Sequence, residues 1–140
     1  MIRFQHFAAT RQRPTIILDA AHNPAGARAL NSTLTEQLGE RPLVLLFGVM
    51  ADKAVDEIAK ILWPRMTHVV LARTTNNPRA ANTADLATLA QSLGVSHSTS
   101  ATVREGFSLA TAHARSLSPA AAVVVAGSVY LAGEVVEFLR

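Results

Sequence analysis

Apolar positions along this 140-residue chain follow two alternating periods. Short runs rich in aliphatic and β-branched residues stand at Thr15–Leu18, Leu43–Val49, Thr67–Leu71 and Ala121–Ala126, with a weaker one at Gly94–His97. Within Leu43–Phe47 and Val123–Val125 the apolar residues are continuous rather than alternating, the pattern of strands covered on both faces. Segments of helical period lie between them. Pro24–Leu38 has Pro at the first helical position and Asn23 before it as an N-cap. Asp52–Leu62 gathers Val55, Ile58, Ala59 and Leu62 on one face, with Asp52 expected as its cap. Thr83–Leu93 stops at Gly94, which suits a left-handed C-cap. Thr102–Ser116 opens with Thr102 and Glu105 at capping-box spacing, and Ser128–Leu139 closes the chain.

Strands alternating with helices of this length predict βαβ units: one three-layer α/β/α domain spanning residues 1–140, with a mostly parallel sheet of about six strands. Ile2–Phe7 reads as an additional strand. The short turn through Arg11–Pro14 then forces it to pair antiparallel with Thr15–Leu18.

Composition narrows the function. With 49% apolar and 16% charged residues the chain can build a core and is not a disordered tail. It has no cysteine, hence neither a disulfide framework nor a thiolate metal site. Its longest apolar runs fall far short of the roughly 20 residues of a membrane helix. The opening residues carry no apolar signal-peptide core, so a cytoplasmic protein without membrane attachment is expected. The net charge is +3, and every basic residue except Lys53 and Lys60 is Arg. These arginines are scattered rather than clustered among aromatics, which argues against nucleic acid as a partner.

Ligands of open parallel sheets bind beyond the carboxyl ends of the strands. The segments that follow the predicted strands are Asp19–Pro24, Gly48–Lys53, Arg73–Arg79 and Gly127–Tyr130, and polar residues and glycines concentrate there. Each also has a plainer reading. Asn23 and Ser128 serve as helix caps, Lys53 as a solvated face residue, and Arg79 as a surface side chain after an Asn-Pro turn. Asp19 and His22 are left needing a reason. Sharper motifs are absent: no Gly-x-Gly-x-x-Gly, no phosphate-binding P-loop, no Gly-x-Ser-x-Gly elbow and no His pair at metal spacing.

Read together, Asp19-Ala-Ala-His-Asn-Pro-Ala-Gly-Ala-Arg-Ala-Leu30, Phe47-Gly-Val-Met-Ala-Asp-Lys53, Asn77-Pro-Arg79 and Ala126-Gly-Ser-Val-Tyr130 resemble the C-terminal domain of folylpolyglutamate synthase/dihydrofolate synthase, in the Mur ligase superfamily. The resemblance implies a Rossmann-like domain of an ATP-dependent ligase. Such an enzyme activates a folate or dihydropteroate carboxylate as an acyl phosphate and joins it to L-glutamate. It also implies a partner absent from this chain, an N-terminal ATPase region bearing the P-loop and the magnesium ligands, so that no metal ligand is expected here and the isolated domain is inactive. By the same resemblance Arg3, Asp19 and His22 contact ATP, and Asp19 and His22 are catalytic. His22, Ser128 and Arg79 serve glutamate, and Lys53 has a structural or gating role. The alternative is a stand-alone α/β module that binds a small anion or regulates without catalysis.

Overall fold

The computed structural model describes residues 4–139. Its strands are β1 (Gln5–Phe7), β2 (Thr15–Leu18), β3 (Leu43–Phe47), β4 (His68–Leu71), β5 (His97–Thr99) and β6 (Ala122–Ala126). They form a single sheet in the order β1-β2-β6-β3-β4-β5. β1 lies antiparallel on β2 and every other pair is parallel. The expected three-layer Rossmann-like architecture with one antiparallel N-terminal strand is therefore what the chain adopts.

The continuous apolar runs explain the order. β2, β3 and β6 are buried on both faces and occupy the middle of the sheet. Helices α1 (Pro24–Leu38), α2 (Val55–Leu62) and α3 (Thr83–Ser92) cover one face, meeting Ile17, Leu45, Phe47 and Val124. Helices α4 (Val103–Leu117) and α5 (Val129–Phe138) cover the other, against Ile16, Val44, Leu46 and Val123. Trp63, in a 3-10 turn after α2, meets Phe47 edge to face at 5.3 Å. No helix among the described residues is long and apolar enough to cross a membrane.

β3 stops at Phe47 rather than Val49, and α2 and β5 each start three residues later than expected. α2 begins at Val55 and is capped by Ala54 without a side-chain bond, so Asp52 is not its N-cap. The Asp52 carboxylate instead pairs with Arg79, a partner that spacing along the sequence could not reveal. β5 runs over His97–Thr99 rather than Gly94–His97. Gly94 and Val95 are used to leave α3, their N–H groups donating to Gln91 and Ala90, and pairing begins only where His97 meets Val69. Gly94 does take the left-handed conformation expected of it, with φ 67°.

His68 is the one buried imidazole of the sheet among the described residues. Its ring nitrogens lie 2.7 and 3.0 Å from the hydroxyls of Ser96 and Ser98, and its ring stacks on His113 of α4 at 4.1 Å. Burial, then the neighbouring His113 and His97, hold its pKa below the usual imidazole value. The unfolded chain therefore takes up this proton first as pH falls, and stability is lost from about pH 6.5 downward until pH passes the depressed folded value. Replacing His68 with Gln, which can bond both serines but does not titrate, should flatten the fall of melting temperature between pH 7 and pH 5. An unchanged slope would assign that acid sensitivity elsewhere.

Candidate functional site

Three strand ends meet in the middle of the sheet, and backbone geometry decides how. Asp19 N–H donates to Val125 O at 3.0 Å and Gly127 N–H donates to Ala21 O at 2.9 Å, lacing the end of β2 to the end of β6. Gly127 sits at φ 115°, where a Cβ would run into the carbonyl oxygen of Gly48. A Cβ on Gly48 would in turn lie 2.8 Å from Ala72 O. The ends of β6, β3 and β4 thus approach as only glycine allows. The chain leaves Gly127 directly into Ser128 and α5.

A cavity of about 190 Å³ opens at this junction, with His22, Met50, Lys53, Arg79, Ser128 and Tyr130 among its lining residues. A larger one, about 450 Å³, lies beside it over the start of α1 and is lined by Asp19, Asn23, Gly26 and apolar neighbours including Phe4 and Leu30. His22 lines both. Its Nδ1 donates to Ala20 O at 2.8 Å, which fixes the ring and leaves Nε2 for a ligand. Asn23 caps α1 through a 2.7 Å bond from Gly26 N–H to its Oδ1.

The two cavities differ in charge. The smaller carries the cations Lys53 and Arg79 and the positive end of α5, with no carboxylate in its lining. Arg79 reaches Asp52 through one nitrogen at 3.2 Å, and both side chains are exposed. Such a solvent-screened pair is weak, so a bound anion can recruit the guanidinium. Ser128 is buried, and its Oγ accepts from Tyr130 N–H at 3.1 Å and Leu131 N–H at 3.5 Å. Only its hydroxyl proton remains to donate. In the larger cavity Asp19 accepts from Ala21 N–H at 2.8 Å. Partial burial raises its pKa, and the Ala21 bond opposes the rise.

His22, Ser128 and Arg79, chosen from sequence, are therefore brought together on the smaller cavity. Asp19 stands on the adjoining one and shares His22 with it, and Arg3 lies outside the described residues. Lys53, to which the family resemblance assigns only a structural or gating role, is half-buried in the cavity wall; its place directly after Asp52 beyond a strand end is the signal the sequence offers. Tyr130, exposed beside Ser128, was not singled out at all. Among the described residues no group of three or more His, Cys, Asp or Glu could hold a metal ion.

An open, mostly parallel sheet covered by helices on both faces, with two cavities at the carboxyl ends of its strands, defines a domain of the Rossmann-like class. Residues 2–129 match the family described as Mur ligase, glutamate ligase domain, and the chain belongs to that family. The dihydrofolate synthase/folylpolyglutamate synthase of Mycobacterium tuberculosis is 44% identical over 77 residues, covering 55% of this chain and 16% of that protein. Among solved structures, a folylpolyglutamate synthase of Mycobacterium tuberculosis complexed with ADP superposes with a TM-score of 0.82 at 33% identity, covering 91% of this chain and 30% of that one. The bifunctional folylpolyglutamate synthase/dihydrofolate synthase of Yersinia pestis, with Mn, AMPPNP and L-glutamate bound, gives 0.80 at 26% identity, covering 98% of this chain and 31% of that one. The chain thus spans less than a third of the length of each of these relatives.

Two outcomes follow from this geometry. Gly127→Ala should destabilise the domain by at least about 2 kcal/mol, combining left-handed backbone strain with displacement of the Gly48 carbonyl; denaturant unfolding at native-like stability would show that the close approach is dispensable. For Asp19 the raised pKa means that the folded state binds the proton more readily, so stability falls as pH rises through the interval above the ordinary carboxylate value. Asp19→Asn, which can still accept from Ala21, should melt at or above the wild-type temperature at pH 7. A clear drop would mean that the charge is structural.

Proposed function

We propose that the chain is the C-terminal part of an ATP-dependent amide ligase that adds L-glutamate to a folate, in folylpolyglutamate synthesis, dihydrofolate synthesis or both. The observation that carries this reading is His22, fixed by its Nδ1 bond and shared by an acidic, partly apolar cavity and a cationic one. A carboxylate is a poor neighbour for phosphate but a good one for ribose hydroxyls. Asp19 therefore suits the nucleoside side, with the phosphates directed toward His22, and Arg3 is a further phosphate contact by family resemblance alone. The cationic cavity suits the carboxylates of glutamate, which Lys53 and Arg79 would hold against the rim formed by Ser128 and Tyr130.

In the reaction the folate carboxylate takes the terminal phosphoryl group of ATP. ADP leaves, the glutamate amine attacks the resulting acyl phosphate, the carbon–oxygen bond to phosphate breaks, and an amide and inorganic phosphate are formed as the amine nitrogen gives up a proton. The residues of this chain would align the amine with the carbonyl, a contribution of proximity, while His22, in the form that carries a proton on both ring nitrogens, donates from Nε2 to phosphate or carboxylate oxygen. An N-terminal ATPase region, bearing a P-loop and the magnesium ligands, would supply the other half of the site. A divalent ion bound there neutralises phosphate charge, and we place none of its ligands on these residues. The isolated domain would be inactive, and the complete ligase cytoplasmic.

Steady-state kinetics of the full-length ligase test the assignment. His22→Ala should lower kcat by at least about tenfold, equivalent to about 1.4 kcal/mol of transition-state stabilisation. Lys53→Met should raise the glutamate KM more than the ATP KM. Near-normal kinetics for both variants, or micromolar binding of ATP or glutamate by the isolated chain, would favour the stand-alone anion-binding module.

A further inference from the structure

The two walls of the cationic cavity belong to different elements. One is the start of α5, at Ser128 and Tyr130; the other includes Arg79, at the far end of the loop that follows β4. That loop is pinned firmly at its C-terminal end. Ala51 N–H donates to Arg79 O at 2.7 Å and Ala81 N–H to Val49 O at 2.8 Å, while Arg73 Nε–H closes the base of the loop on Ala80 O at 3.2 Å. The other half of the loop is held across to α5. Thr75 donates twice to a single carboxylate: its N–H to Glu134 Oε2 at 2.9 Å and its hydroxyl to Glu134 Oε1 at 2.7 Å.

We infer that Glu134 and Thr75 form a clamp that, together with the pinned end of the loop, fixes Arg79 relative to the N-terminus of α5, making Glu134 a positioning residue for the amino-acid substrate. This rests on the ligase reading above. Glu134 follows Tyr130 by four residues, so its carboxylate stands one helical turn behind the cavity rim, on the same side of α5. The clamp reaches over the end of β3, which lies between β6 and β4 in the sheet. Two donors on two oxygens fix an orientation, where a single bond would leave a pivot. Between the clamp and the pinned end the loop turns on Asn77, whose side-chain oxygen accepts from Arg79 N–H at 3.1 Å and whose carbonyl accepts from Ala80 N–H at 3.1 Å. Asn76, next to the clamp, takes a left-handed φ of 52°, and on its other side the buried Thr74 hydroxyl has no bond partner among the described residues. Hydrogen bonds to a carboxylate this close to the surface, where water competes for every donor, add little to global stability. Placement of a bound carboxylate is more demanding, with a tolerance of about 0.5 Å.

The test uses the full-length ligase carrying this domain, with glutamate and ATP varied separately and melting temperature recorded for every variant. Glu134→Ala should raise the glutamate KM by about fivefold or more, leaving the ATP KM within about twofold and the melting temperature nearly unchanged. Thr75→Ser keeps both donors and should behave as wild type. Glu134→Gln keeps one acceptor oxygen and should fall between, which also covers the case of an alanine variant that fails to fold. Thr75→Val should raise the glutamate KM alone but add nothing to Glu134→Ala, since both act through one contact. An active wild-type enzyme whose glutamate KM is indifferent to Glu134→Ala and Glu134→Gln overturns the clamp and leaves the ligase reading standing. So do equal rises in both KM values accompanied by a lower melting temperature. A wild-type enzyme that releases no phosphate in response to glutamate overturns the ligase reading, and the clamp with it.

Discussion

The contact on which the site depends is the approach of Gly127 to the carbonyl of Gly48, at the ends of the two central strands β6 and β3. Any side chain at Gly127 would push these strand ends apart, and with them the loops they carry. The close approach allows Gly127 to turn at positive φ into Ser128 while its N–H still reaches Ala21 on the β2 side. One glycine thereby brings the imidazole of His22 to the same opening as the capped start of α5. The buried runs of β2, β3 and β6 supply the rigid floor, and the glycine pair lets chemistry be built directly on it.

That opening is divided electrostatically. Lys53, Arg79 and the start of α5 make one side cationic, whereas Asp19 stands among apolar residues on the other. A ligase that joins a dicarboxylate to an activated acid must keep nucleotide and amino acid apart yet within bonding reach of one carbonyl. Two adjoining cavities with one shared imidazole fit that requirement. The partial burial that raises the pKa of Asp19 means that its carboxylate is kept there at some cost in stability near neutral pH.

Much of this was legible before any coordinates. The continuous runs Leu43–Phe47 and Val123–Val125 announced doubly covered strands, and Asn23–Pro24, Thr102 and Ser128 marked helix starts that the structure places where expected. Local chemistry determines such features. What stayed hidden depends on partners distant in sequence. Asp52 looked like a cap because the sequence shows its neighbours, not the Arg79 that claims it 27 residues later. Lys53 was undervalued because a single Lys after an Asp has many uses until a cavity forms around it. The bond from Thr75 to Glu134 spans 59 residues and leaves no local pattern to read. β5 moved by three residues because Gly94 and Val95 were needed to leave α3, a competition between elements that propensity does not weigh.

The most direct measurement is a crystal structure of the complete enzyme soaked with a non-hydrolysable ATP analogue and L-glutamate. Density for the amino acid is expected against Lys53, Arg79 and the Ser128 rim, with the nucleotide phosphates on the opposite side of the His22 ring. Glutamate bound instead over the Arg73–Pro78 loop, or a nucleotide occupying the cationic cavity, would contradict this division of the strand-end cleft.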